Sequence, residues 1–225
     1  MSLLHEGFEV HDTLNPKLWD INSQLMLPEV RQKLIDIVSA FEDYIDVPIH
    51  IVDAQVCGSN ASYNYTSSSD LDLHVIANFD LMDVPEGLLQ QLYNAKKSSF
   101  NRETDITIHG IQVEIYVQDI KSQVNSNGIY SICDNDWVKE PKPIKSITKH
   151  NTEKEFEKWS DHIQQVLSEN DYNAIVDTIN MLYLMRTNSL AVDGEYSKGN
   201  QLFKEIRNAG YLKELKDAML SCLSK

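Results

Sequence analysis

Between Pro28 and Ile45 the apolar residues Val30, Leu34, Ile37, Val38, Phe41 and Ile45 recur at three- and four-residue intervals. That spacing predicts an amphipathic helix opened by a proline in its first turn. Pro48 then biases the chain towards extension, and His50 to Val56 predicts a strand that stops at Cys57-Gly58-Ser59. A polar loop, Asn60 to Ser69, follows. Leu71-Asp72-Leu73-His74-Val75-Ile76 alternates apolar and polar positions and predicts a second strand. Residues 86–100, with Leu88, Leu89, Leu92, Tyr93 and Phe100, predict a helix that places Lys96, Lys97 and Arg102 at its end, where basic groups complement the helix dipole. Ile106 to Ile108 and Ile111 to Val117 alternate about His109-Gly110 and predict a hairpin. Gly128 to Val138 has room for another. After residue 150 the two-residue period disappears, and four helices are expected near 152–168, 171–190, 195–209 and 211–223.

These elements predict an α+β protein: a small mixed sheet flanked by helices, then an α-helical domain. The stretch KEPKPIKSITK, residues 139–149, carries two prolines and four lysines, the composition of a linker. The expected division is 1–140, a linker at 141–150, and 151–225. At 225 residues the chain can bury a sizeable core without a disulfide or metal staple. Its three cysteines, Cys57, Cys133 and Cys222, are far apart and form no CxxC pair, which argues against a disulfide framework or zinc site. No apolar run is long enough to span a bilayer, and MSLLHEGFEV lacks the basic start and apolar core of a secretory signal. A cytoplasmic protein without a membrane partner is expected. The net charge of −14 opposes long nucleic acid partners. Residues 1–150 hold 22 acids against 11 bases, and residues 151–225 hold 12 against 9, so the acidity is concentrated in the first part.

The candidate chemistry lies there as well. Gly58-Ser59 is followed, ten residues later, by Asp70-Leu71-Asp72. Side chains two apart on a strand share a face, so Asp70, Asp72 and His74 form one row while Leu71, Leu73 and Val75 face the opposite way. On the 111–117 strand, Glu114 projects from the face opposite Val113 and Ile115. Three carboxylates gathered on one face repel one another unless a cation joins them. Mg²⁺, with Mn²⁺ as an alternative, takes oxygen ligands from one or two carboxylates plus substrate phosphates. Gly58 and Ser59, at a strand end, offer close backbone approach, N–H groups and a hydroxyl to anionic oxygens. Asp105 and Asp119 are rival third acids but fall at strand ends.

VCGSNASYNYTSSSDLDLHV resembles the Gly-Ser…DxD signature of the polymerase-beta-like nucleotidyltransferase superfamily, and IQVEIYV is similar to its third-acid strand. The whole chain is similar to predicted nucleotidyltransferases of tailed bacteriophages and their hosts. The resemblance covers about residues 50–118. It implies transfer of a nucleoside monophosphate from an NTP, ATP among them, to a hydroxyl, with release of pyrophosphate. Asp70 and Asp72 match the acids that bind metal. Glu114 matches the third, which joins them and helps activate the acceptor hydroxyl. Gly58 and Ser59 match the pair that holds the triphosphate. Lysines of the helical domain serve the triphosphate in relatives, a use open here to Ser197, Lys198 and Lys204. Two departures stand out: Tyr63-Asn64-Tyr65 replaces a glycine or small residue, and Glu replaces the commoner Asp as third acid, leaving Glu114 as metal ligand or base.

The acceptor is open among a small molecule, a nucleotide (as in second-messenger synthases), an RNA end and a protein hydroxyl. Rival classes are an inactive nucleotide-binding or antitoxin-like module and a metal-dependent phosphohydrolase or nuclease. Gly194 to Gly199 lacks the Lys-Ser/Thr of a P-loop. Tyr63 and Tyr65 read as base-stacking or packing residues, and His74 as a nucleotide contact or a structural hydrogen-bonder.

Overall fold

The computed structural model describes residues 9–144, 150–194 and 196–223. The expectation for the N-terminal segment through residue 8 and that for linker residues 145–149 lie outside the described residues. The described residues fall into two compact units, one within Glu9–Lys145 and one after it.

The first unit is built on a six-stranded mixed sheet. Its strands are β1 (Ile51–Cys57), β2 (Leu71–Ala77), β3 (Thr107–Ile108), β4 (Ile111–Asp119), β5 (Ile129–Ser131) and β6 (Asp136–Lys139), in the order β3-β4-β2-β1-β5-β6. β1 and β2 are antiparallel, joined by the 58–70 loop, and Cys57 stands opposite Asp72. β2 and β4 are parallel, in register from Leu71–Val113 to Ala77–Asp119. Parallel neighbours need a crossover, and helix α2 (Glu86–Thr104) supplies it. β3 and β4 form the expected hairpin; His109 and Gly110 at its tip both have positive φ, 51° and 78°, the backbone of a type I′ turn.

Alternation decides which face is dry. Leu71, Leu73 and Val75 of β2 and Val113, Ile115 and Val117 of β4 are buried in one core. Helix α1 (Pro28–Ile45) adds Val30, Leu34, Phe41 and Ile45 to it, each burial stabilising by roughly 1.5–3 kcal/mol. Phe41 meets Phe100 of α2 edge to face, ring centroids 5.2 Å apart. The opposite face of β2 and β4 carries the polar side chains.

Because β3 spans only two residues, most of β4 lacks a neighbour on one side. Side-chain amides of α2 take that place. Asn101 donates to the Ile115 carbonyl and accepts from the Ile115 N–H, both at 3.0 Å, and Gln90 donates to the Val117 carbonyl at 3.3 Å. The strand edge is thus covered rather than left to pair with another chain. The expected helix over 86–100 runs on to Thr104, one turn beyond its last apolar residue, so Lys97 sits within the helix and not at its end.

The proline- and lysine-rich stretch is tied to this unit through residue 144. Asn127 donates to the Lys142 carbonyl at 2.9 Å, Lys139 donates to the Ser126 carbonyl, and Ile144 packs against the core.

The second unit contains α3 (Glu153–Glu169), α4 (Tyr172–Asp193), α5 (Lys198–Asn208) and α6 (Tyr211–Leu223). Its separate core includes Ile163, Ile175, Leu182, Phe203, Ile206 and Leu215. Asp171 caps α4, accepting from the Ala174 N–H at 2.8 Å. No helix among the described residues is long and apolar enough to cross a membrane.

Candidate active site

The polar face of the sheet is ordered in transverse rows. Cys57, Asp72 and Glu114 stand in register across β1, β2 and β4; Gln55, His74 and Tyr116 form the next row. Asp70 precedes β2 directly. The two candidate acids Asp72 and Glu114 therefore face the same side by strand register alone, on elements fixed by buried neighbours at positions 71, 73, 113 and 115.

The 58–70 loop is held from inside. Asn60 is fully buried; its amide donates to the Asp70 carbonyl at 2.8 Å and the Ser69 carbonyl at 3.3 Å, and accepts from Asn15 at 2.9 Å. Trp19 donates to the Asn60 carbonyl at 2.7 Å. Ser59 begins a single 3-10 turn and its hydroxyl donates to Ser69 at 2.9 Å. The Gly58 N–H donates to Ser126 at 3.0 Å. Gly58 itself has φ 74° and ψ −157°, a backbone nearly restricted to glycine.

Tyr116 organises the other side. Its phenol donates to Glu114 Oε2 at 2.6 Å. One face of the ring meets His74, centroids 5.0 Å apart and 26° from parallel. The Lys97 ammonium lies over the ring, 4.0 Å from its centroid, within the cation–π range. His74 Nδ1 is 2.8 Å from Gln118 Oε1. Burial lowers the His74 pKa, opposed by the Gln118 bond and aided by the Lys97 charge, which favours neutral imidazole. Burial likewise lowers Lys97, while Glu114 and then Asp72 raise it. Burial first, then the Glu114 bond and the nearby carboxylates, raises the Tyr116 phenol well above its usual value. Cys57, buried beside Asp72 and Asp53, is pushed up to about 12, chiefly by burial, and is no thiolate nucleophile at neutral pH.

Gly58, Ser59, Asp70, Asp72 and Glu114 thus belong to one sheet face and the loop at its end. The other three expected site residues belong to the second unit. Lys198 opens α5, is exposed and pairs with Glu155. Ser197 is the N-cap residue; its hydroxyl is buried and has no hydrogen-bond partner among the described residues. Lys204 lies half-buried on α5. Tyr63 is 5% exposed and part of the core, and Tyr65 stacks on His11 at 3.9 Å. Asp119 is buried and accepts from the Phe79 and Lys121 N–H groups, while Asp105 accepts from Gln112, so both rival acids have structural partners. Sequence reasoning missed Asn60, Ser126 and Tyr116, and read Lys97 only as a helix-end charge. Tyr116 was marked by its two-residue spacing from Glu114. Lys97 was marked by lying four residues beyond Tyr93 and three before Phe100, on the core-facing side of α2.

The donors of Asp70 and Asp72 are all oxygen, the chemistry magnesium takes, and two carboxylates completed by substrate phosphates make an ordinary magnesium site. The bare Gly58 leaves the space that the Asp72 carboxylate occupies. These two residues fit a divalent ion. One Glu114 oxygen is engaged by Tyr116, and among the described residues no group of three or more His, Cys, Asp or Glu side chains is placed to hold a metal ion.

No protein-family model and no curated protein matches the chain. Among solved structures it is similar to the CdnE cyclic dinucleotide synthase of Elizabethkingia meningoseptica with GTP and Apcpp, at 11% identity and a TM-score of 0.28, over 85% of this chain and 75% of that one. A superposition that loose leaves function to be argued from this chain's own residues.

Proposed function

We propose that the protein is a divalent-metal-dependent nucleotidyltransferase that moves a nucleoside monophosphate from an NTP to an acceptor hydroxyl and releases pyrophosphate. One observation carries this reading: Asp72 and Glu114 stand in register on adjacent parallel strands, with Asp70 at the head of the same strand and Gly58-Ser59 beside Asp72. In this reading Asp70 and Asp72 hold magnesium, which, when bound, neutralises the charge developing on the transferred phosphoryl group. Gly58 and Ser59 present backbone and hydroxyl to the phosphates of the leaving group. Ser197, Lys198 and Lys204 remain proposals as triphosphate contacts. Glu114 serves in this reading as the base for the acceptor hydroxyl; Tyr116 donates to it, and His74 stacks on Tyr116.

The test is magnesium-dependent pyrophosphate release from each of the four NTPs with hydroxyl-bearing acceptors, for wild type and the Asp70→Ala/Asp72→Ala double variant. Mass spectrometry of the products identifies the acceptor, including a second nucleotide. Release that survives in the double variant removes the catalytic assignment; inorganic phosphate without pyrophosphate moves the protein to the hydrolases.

A further inference from the structure

The superposed roles of metal ligand and base at Glu114 separate in this site. The geometry points to Tyr116 as a positioning residue that withholds Glu114 from the metal and sets it as the proton acceptor, leaving Asp70 and Asp72 as the protein's metal ligands; the inference rests on the nucleotidyltransferase reading.

Two observations carry it. First, the phenol donates to Glu114 Oε2 at 2.6 Å, a short charge-assisted bond that occupies one carboxylate oxygen. Second, the phenol cannot swing away freely. Its ring is stacked on His74 and lies under the Lys97 ammonium, and His74 is itself anchored to Gln118.

Chemically, the acceptor oxygen forms its bond to the α-phosphorus as the bond from that phosphorus to the bridging oxygen breaks. The electron pair leaves with pyrophosphate, and the acceptor proton passes to Glu114 Oε1, the oxygen that Tyr116 does not engage. Tyr116 keeps its own proton throughout and acts only through Glu114.

The experiment measures Mn²⁺ affinity of the full chain from the free-ion electron paramagnetic resonance signal, so it needs no acceptor. Asp72→Asn should abolish binding, while Glu114→Gln should leave it within about twofold of wild type. Tyr116→Phe should bind Mn²⁺ more tightly, by roughly fivefold, the scale of one hydrogen bond released to a competing ligand. That gain should vanish in Tyr116→Phe/Glu114→Gln. A residue that merely supported the fold would weaken binding when altered, and would show no dependence on Glu114. The inference is overturned if Glu114→Gln weakens Mn²⁺ as strongly as Asp72→Asn, or if Tyr116→Phe gives no Glu114-dependent gain; in both cases Asp72-dependent binding keeps the broader reading intact. Wild-type protein that binds no Mn²⁺, alone or with a non-hydrolysable NTP, overturns both.

Discussion

A β-carbon on Gly58 would stand 2.0 Å from Asp72 Oδ2. Any larger residue at this position would push the Asp72 carboxylate aside, and the φ of 74° with ψ −157° favours glycine independently. Gly58→Ala should cost about 1–3 kcal/mol in urea unfolding from backbone strain. It should also displace Asp72 and weaken Mn²⁺ binding by at least about tenfold, the scale seen when the support of a metal ligand is removed. Unchanged Mn²⁺ affinity in a folded Gly58→Ala protein would show that Asp72 is not the ligand.

Asn60 connects the same loop to the body of the first unit. Its amide spans the Asp70 carbonyl and Asn15, 45 positions earlier in the chain. Asn60→Ala leaves those buried groups without their partner and should destabilise the protein by roughly 2–3 kcal/mol. Asn60→Asp removes the donor to Asp70 while keeping an acceptor for Asn15, and should retain part of that stability. Chemical denaturation of both variants, with Mn²⁺ titration at a temperature where each is folded, separates loss of the fold from loss of the Asp70 position. Equal stability of Asn60→Ala and wild type would contradict this role.

How much of this was legible beforehand follows from periodicity. β4 and the first five residues of β2 alternate, so the sequence placed Asp72 and Glu114 on polar faces and their neighbours in the core. Their parallel register was not legible, because it depends on the crossover through α2. Lys97 was hidden by an apolar pattern that ends at Phe100 while the helix continues to Thr104. Asn60 was hidden because its partners are distant in sequence and its loop has no period. Tyr116 shared the polar face with Glu114 by spacing, yet an aromatic on a strand reads first as packing, and the phenol meets the carboxylate only in the folded sheet. Even the glycine was read for phosphate approach, whereas the structure adds the steric demand of Asp72.

Cys57 offers a probe of the site that leaves its residues unaltered. It is buried opposite Asp72, and its thiol is pushed up to about 12, so at pH 8 only about one part in ten thousand is the reactive thiolate. Iodoacetamide at pH 8, in EDTA, should label Cys133, which is exposed, well before Cys57. Because deprotonation is disfavoured in the folded state, raising the pH from 8 to 9 should increase labelling of Cys57 in the closed protein about tenfold while leaving it slow. Peptide mass mapping reads each position separately. Rapid labelling of Cys57 in the folded protein would mean that the β1–β2 end of the sheet opens readily.

Lys97 makes the sharpest contrast with Tyr116. Its ammonium lies over the Tyr116 ring and is attracted to Glu114 and Asp72. Lys97→Met keeps much of the apolar stem and removes a cation that opposes metal at the acidic pair. Mn²⁺ affinity should rise by roughly fivefold, about 1 kcal/mol, the size of a partly screened charge interaction at an effective dielectric constant near 20. This gain acts on the field around Asp70 and Asp72, so it should survive in Lys97→Met/Glu114→Gln, whereas the gain from Tyr116→Phe should not. It should also shrink between 0.02 and about 0.5 M salt, while a hydrogen-bond effect at Tyr116 changes little. A loss of affinity in Lys97→Met would assign Lys97 to holding the acids in place rather than to competing with the metal.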